Sequence, residues 1–146
     1  MNKVNIEIFT HEEFRINKKK LLSVVKILLK NLGKKFESVE ISFLKDEGVY
    51  KMNKNFLNHD ALTDILTFPY SEKEPYSTEI IISFERAKEN AKKYKVKYEE
   101  EILRLIAHGL LHTIGFNDFT RSEKLKMRRE ENKLLNSIKK ENFIKH

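Results

Sequence analysis

With 146 residues and 40% hydrophobic content, the chain has material for one core and too little for two domains, and the absence of cysteine excludes disulfides, thiolate nucleophiles and cysteine metal sites together. No apolar run reaches membrane-spanning length, and the opening M-N-K-V-N-I-E-I lacks a charged-then-apolar leader, so a cytoplasmic protein without membrane contact is expected. The net charge of +7 points to a polyanionic partner, because Lys and Arg set against phosphates release condensed counterions, although lysine outnumbers arginine 23 to 6, a bias that genome composition alone can produce.

Val4, Ile6 and Ile8 alternate with Asn5 and Glu7, which predicts a strand with one buried face. From Asn17 to Leu32 the residues Leu21, Val24, Val25, Leu28, Leu29 and Leu32 recur at helical spacing, and Gly33 stands where a left-handed cap belongs. Ser38 to Leu44 reads as a second strand with Val39, Ile41 and Phe43 on one face, Asp46 to Phe56 as a short helix, and Leu57 to Leu62 as a polar loop. Thr63 to Phe68 is a third strand ended by Pro69, joined by a hairpin connection to a fourth at Thr78 to Ser83. Phe84 to Tyr94 is helical with Ala87 and Ala91 turned inward.

Tyr98 to Ile114 predicts a largely buried helix. Ile102, Leu103, Ile106, Ala107, Leu110, Leu111 and Ile114 cover most of its circumference, and Glu101, Arg104, Leu105, His108 and His112 share the remaining stripe. T-x-x-E at Thr120 to Glu123 has capping-box form and opens a last helix expected to run to about Asn142. From Thr120 to His146 there are nine Lys or Arg against four Glu, so +5 of the net charge is concentrated there.

The stretch that organises the chain is A-H-G-L-L-H-T-I-G-F-N-D-F, Ala107 to Phe119. His108 and His112 lie four apart, about one helical turn, so both imidazoles project to one side. Gly115 follows where a helix commonly ends in a left-handed residue. Asp118 comes three residues later, close enough to fold back and complete a three-ligand face that leaves a position open for water. Two histidines on one narrow stripe need a shared reason, whereas a single one is readily satisfied by a hydrogen bond. Asp118 has a competing reading as a cap of the last helix. Gly109 stands where H-E-x-x-H metalloproteases carry their general base, which argues against peptide hydrolysis by that route.

These residues carry a resemblance. H-G-L-L-H-T-I-G-F-N-D resembles the H-G-x-L-H-x-x-G-Y-D-H signature of the YbeY family of bacterial endoribonucleases. L-T-D-I-L-T-F-P at Leu62 to Pro69 is similar to that family's T-D-V-L-S-F-P, and T-E-I-I-I-S with Ala87 and Ala91 resembles its G-D-I-x-I-S and alanine-bearing helix. The match is close from Asn53 to Asp118 and holds only in pattern outside it. The resemblance implies a single α+β domain, residues 1–146, with a four-stranded mixed sheet and a zincin-like metal helix. It also implies one zinc ion and metal-dependent cleavage of single-stranded RNA in ribosomal RNA maturation and ribosome quality control, with the small ribosomal subunit as partner.

The departures from that signature fall in the site. Without a gap, Asp118 takes the place of the family's third histidine and Asn117 that of its aspartate. With one residue inserted after Phe116, Asp118 matches the aspartate and Phe119 the histidine, leaving no third ligand. The ungapped register is preferred because carboxylate joins two imidazoles on zinc and phenylalanine does not. Hence His108, His112 and Asp118 are the expected metal ligands, with the carboxylate moving preference toward harder ions such as manganese. Leu57 stands where the family carries an arginine; Arg86, Arg104, Lys54 and His59 are the candidates to replace it. Asp64 and Arg86 are the candidate catalytic residues, Asp64 either bordering the cleft and holding an imidazole from behind or forming, with Thr63, a plain turn into the third strand. The alternative to an enzyme is a basic ribosome- or RNA-associated binding module with a structural or vestigial metal site.

Overall fold

In this computed structural model, residues 3–57 and 63–145 are described. The alternation at the N-terminus forms β1 (Asn5–Phe9), which pairs in parallel with β2 (Phe36–Leu44), Ile6 opposite Val39 and Ile8 opposite Ile41. β2 pairs in parallel with β4 (Tyr76–Ser83), and β3 (Ile65–Pro69) lies antiparallel to β4 at the far edge, giving the order β1-β2-β4-β3. The expected α+β fold with a four-stranded mixed sheet is therefore present. β3 ends at Pro69 as expected, and its last pair, Pro69 with Thr78, is tolerated because an edge strand has no second neighbour for the missing N–H to serve.

Among the described residues five helices accompany the sheet: α1 (Lys18–Leu32), α2 (Asp46–Leu57), α3 (Phe84–Tyr94), α4 (Tyr98–Thr113) and α5 (Arg121–Asn136), the last packed on α4. α1 starts where the Asn17 side chain accepts the Lys20 N–H and stops at Gly33, whose φ of 69° is the left-handed conformation expected there. The run Ile80, Ile81, Ile82 explains the layering. Ile80 and Ile82 join α1 and α4 in the main core, while Ile81 points the other way into a smaller cluster with Val49 of α2 and Leu66 of β3. A strand covered on both faces reads as a continuous apolar run, and each such side chain contributes about 1.5–3 kcal/mol by leaving water.

The last helix is shorter than its polar pattern suggests. α5 ends at Asn136, with the Ser137 hydroxyl and N–H both donating to the Leu134 carbonyl. Adjacent Phe143 and Ile144, both buried, cannot both face a core from a helix that also turns Met127 and Leu134 inward. The tail instead runs back beside the start of α1: Ile144 bridges Ile16, and the Asn17 N–H donates to the Phe143 carbonyl at 2.7 Å.

Candidate active site

α4 is buried along most of its length, and Gly109 sets how close it sits to the sheet. A Cβ on Gly109 would stand 2.9 Å from Cδ1 and 3.0 Å from Cγ1 of the fully buried Ile80. The position of a metalloprotease general base is thus filled by β4, which gives a packing reason for its absence. His108, on the next residue, falls on the edge of the helix that the sheet does not cover.

α4 ends in a Schellman arrangement. The Gly115 N–H donates to the His112 carbonyl and the Phe116 N–H to the Leu111 carbonyl, with Gly115 at φ 112°. This reversal sends residues 116–120 back along the helix and brings the Asp118 carboxylate to 3.3 Å from His108 Nε2. The next helix is capped by Thr120 and not by Asp118. The Thr120 hydroxyl accepts the Glu123 N–H at 3.1 Å, and the Glu123 carboxylate accepts the Thr120 N–H at 2.9 Å. Asp118 is thereby left for His108.

The residue that sequence reasoning missed is Glu131. It is 5% exposed, and its carboxylate oxygens divide between His108 Nδ1 at 2.8 Å and Arg104 Nη1 at 3.1 Å. A signal was there: Met127, Glu131 and Leu134 occupy one face of α5, and a lone carboxylate inside an apolar stripe requires a buried partner. With Nδ1 directed at Glu131, the Nε2 lone pair of neutral His108 is the one presented to a ligand, the orientation in which carboxylate-supported histidines bind metals. Burial works against protonation of His108. The hydrogen bond and charge of Glu131, with Asp118 and Asp64 behind them, outweigh it and raise the pKa above the ordinary histidine value. A position that attracts a proton this way suits a divalent cation as well.

His112 is half-buried one turn further along. Among the described residues no three His, Asp or Glu side chains are grouped closely enough to hold a metal ion, so the structure brings His108 and Asp118 together and leaves His112 apart from them. His108 and Asp118 converge and His112 shares their edge of α4. In donor type this set fits a divalent ion.

Beside this edge lies Asp64, whose carboxylate accepts from Asn90 Nδ2 at 3.0 Å while its carbonyl accepts the Ser83 N–H. The same Asn90 amide reaches Glu101 at 3.5 Å. Burial first, then the charge of Asp64, raises the pKa of Glu101, against the hydrogen bond from Asn90 and the charges of Arg104 and Arg128. The charge of Asp64 adds weakly to the upward shifts of His108 and Arg86. Thr63 makes a turn into β3, its hydroxyl donating to the Ile65 carbonyl.

Arg86 is engaged elsewhere. Its Nε and Nη2 hold both oxygens of Asp46 at 3.1 and 2.8 Å, tying the start of α3 to the start of α2. Arg104 is held by Glu131, Lys54 is an exposed residue of α2, and Leu57 is 40% exposed at the end of that helix. His59, with the rest of the expected loop at 58–62, lies outside the described residues.

The sequence model of the family described as Endoribonuclease YbeY matches residues 5–139. The chain belongs to the YbeY family. Curated YbeY endoribonucleases similar to it include that of Azobacteroides pseudotrichonymphae, 36% identical over 124 residues that cover 85% of this chain and 89% of the relative. Another, from Chlorobaculum parvum, is 31% identical over 134 residues, 92% of this chain and 95% of the relative. The solution structure of TM1509 from Thermotoga maritima matches with a TM-score of 0.64 at 26% identity, over 90% of this chain and 87% of that one. The YbeY match runs through β1, α4 and α5, so it includes both helices whose packing creates the Glu131–His108 contact.

Proposed function

We propose that this chain is a metal-dependent endoribonuclease that cleaves single-stranded RNA during ribosomal RNA maturation and ribosome quality control, in the cytoplasm and on the small ribosomal subunit. Membership of the YbeY family supports hydrolysis of RNA. The observation that carries the metal site is the line Glu131–His108–Asp118, a buried carboxylate behind one imidazole nitrogen and a second carboxylate 3.3 Å in front of the other. His108, His112 and Asp118 would hold one zinc ion, or manganese given the carboxylate donor. When bound, such an ion acidifies water and neutralises charge that develops on a phosphodiester. The protein does the rest. Glu131 fixes the tautomer and ring plane of His108, Arg104 holds Glu131 in place, and the Schellman turn at Gly115 sets the reach of Asp118. Asp64, held by Asn90, would accept a hydrogen bond from water. Arg86 would act on the scaffold through Asp46 instead of on the phosphate.

A binding module with a structural or vestigial metal site is favoured by one observation: Leu57 replaces the family's arginine, while Arg86 and Arg104 are both committed to carboxylates. Two measurements on the same protein separate the readings. Single-stranded RNA should be cut by the metal-loaded protein and spared after chelation; binding without cutting would leave the module. In parallel, Asp118→Ala should lose most of its metal on dialysis with an unchanged melting temperature, and Asp118→His should keep it. Full metal content in the alanine variant would remove Asp118 from the ligand set.

A further inference from the structure

Phe119 is 80% exposed, although it follows directly on Asp118 and precedes the cap of α5. An apolar residue at this position ordinarily packs on the fourth residue of the helix as a hydrophobic staple. Here that residue is Lys124, and the exposure of the ring shows that no such packing is made. The ring is nevertheless well anchored. Asp118 on one side is 3.3 Å from His108, and Thr120 on the other is pinned by both hydrogen bonds of the capping box. Along α5, Arg121, Lys124 and Arg128 recur at i, i+3 and i+7, all exposed, on the face that ends in Glu131. Arg128 stands one turn before Glu131, the partner of His108, so this basic stripe runs toward the histidine edge of α4, whereas Arg129 falls on another side of the helix.

We propose that Phe119 is a stacking platform for one base of single-stranded RNA, with Arg121, Lys124 and Arg128 receiving the adjoining phosphates. An exposed aromatic beside a cationic track is the arrangement that single-stranded nucleic acid recognises, because every base offers a π-face and duplex stacking hides it. The platform rests on the RNA-cleaving reading of the same site. It would hold a strand next to His108 whatever its sequence.

The test uses a short single-stranded RNA carrying one 2-aminopurine and, separately, the same RNA with one abasic position, bound in chelator so that no cutting occurs. Phe119→Ala should weaken binding about tenfold and abolish the fluorescence quenching, while Phe119→Trp retains both. Since the ring buries little, both variants should melt with the wild type, and for the alanine variant the abasic substitution should cost nothing further. Equal affinity of wild type and Phe119→Ala, with cleavage intact, overturns the platform and leaves the nuclease reading standing. Lost affinity with a wild type that never cuts supports the platform and sinks the nuclease. Unchanged RNA affinity with weakened cosedimentation on ribosomal subunits would assign the ring to a protein contact and overturn the proposal.

Discussion

Two arginine–carboxylate contacts of the same chemical kind join pairs of helices, and they serve different ends. Between α2 and α3, Arg86 grips Asp46 with two hydrogen bonds, and both side chains keep close to 30% of their surface in water: 29% for Arg86 and 27% for Asp46. Between α4 and α5, Arg104 meets Glu131 through a single nitrogen, yet the Glu131 side chain keeps only 7% of its surface in water and gives its other oxygen to His108. The better fork geometry belongs to the contact that only joins helices. Consequence follows from what else the carboxylate touches and how far it is from water, since an unpaired charge is costly in proportion to its desolvation.

The largest effect should come from removing Glu131. Glu131→Ala strips His108 and Arg104 of their acceptor at once, and breaking a buried pair in this way costs about 3 kcal/mol. The same change frees the His108 ring, for which a 10- to 100-fold loss of metal affinity is the usual order. Glu131→Gln keeps an acceptor and the shape, so it should recover most of the stability and less of the metal affinity. Denaturant unfolding and metal titration on both variants check this. A loss no greater than that of Asp46→Ala would erase the distinction between the two contacts.

An intermediate effect is expected at Gly109, which seats the α4 contact over the sheet. Alanine is the better helix former by about 0.5–1 kcal/mol, but its Cβ would press on Ile80 at 2.9 Å, and overpacking a core costs about 1–3 kcal/mol. Ile80 is branched and fully buried, so it has little room to yield. Gly109→Ala should therefore lower stability by about 1 kcal/mol and loosen the metal site less than Glu131→Gln does. A more stable variant would show that helix propensity wins and that α4 can rise off the sheet.

What was legible beforehand divides along the same line. His108 and Asp118 sit close in sequence, and their approach follows from helix pitch and the turn at Gly115, so local rules reach it. The α+β sheet was readable because alternation in β1 and β2 and the apolar run in β4 each betray how many faces are covered. Glu131 was not, because its partner lies 23 residues away and only the packing of α5 on α4 brings the two together. Arg86 looked available for a phosphate for the same reason: Asp46 is 40 residues distant and the bond between them is tertiary. The capping box marks where the last helix starts and nothing local marks its end, which is set by the distant pairing of Ile144 with Ile16 and the burial of Phe143.

The smallest effect, and the one that isolates the scaffold contact, is the pH dependence of the Asp46–Arg86 pair. The hydrogen bond from Arg86 is the main reason that the Asp46 pKa lies below its ordinary 3.8; the Arg86 charge and the Ser83 hydroxyl add to it and partial burial opposes it. A depressed carboxylate pKa means that unfolding takes up protons at Asp46. Its contribution is then fully present above pH 3.8 and disappears as pH falls through the lower native value. Because both partners are partly wet, that contribution should be about 1 kcal/mol or less. Asp46→Asn, which keeps the Ser83 contact and removes the charge, should lie below wild type by a constant amount from about pH 5 to pH 8 and converge on it in strong acid. RNA affinity and metal content should not change with it. A stability gap that persists unaltered at the lowest pH would mean that shape and hydrogen bonding, not charge, join α2 to α3, and a fall in metal content would place Arg86 back in the site.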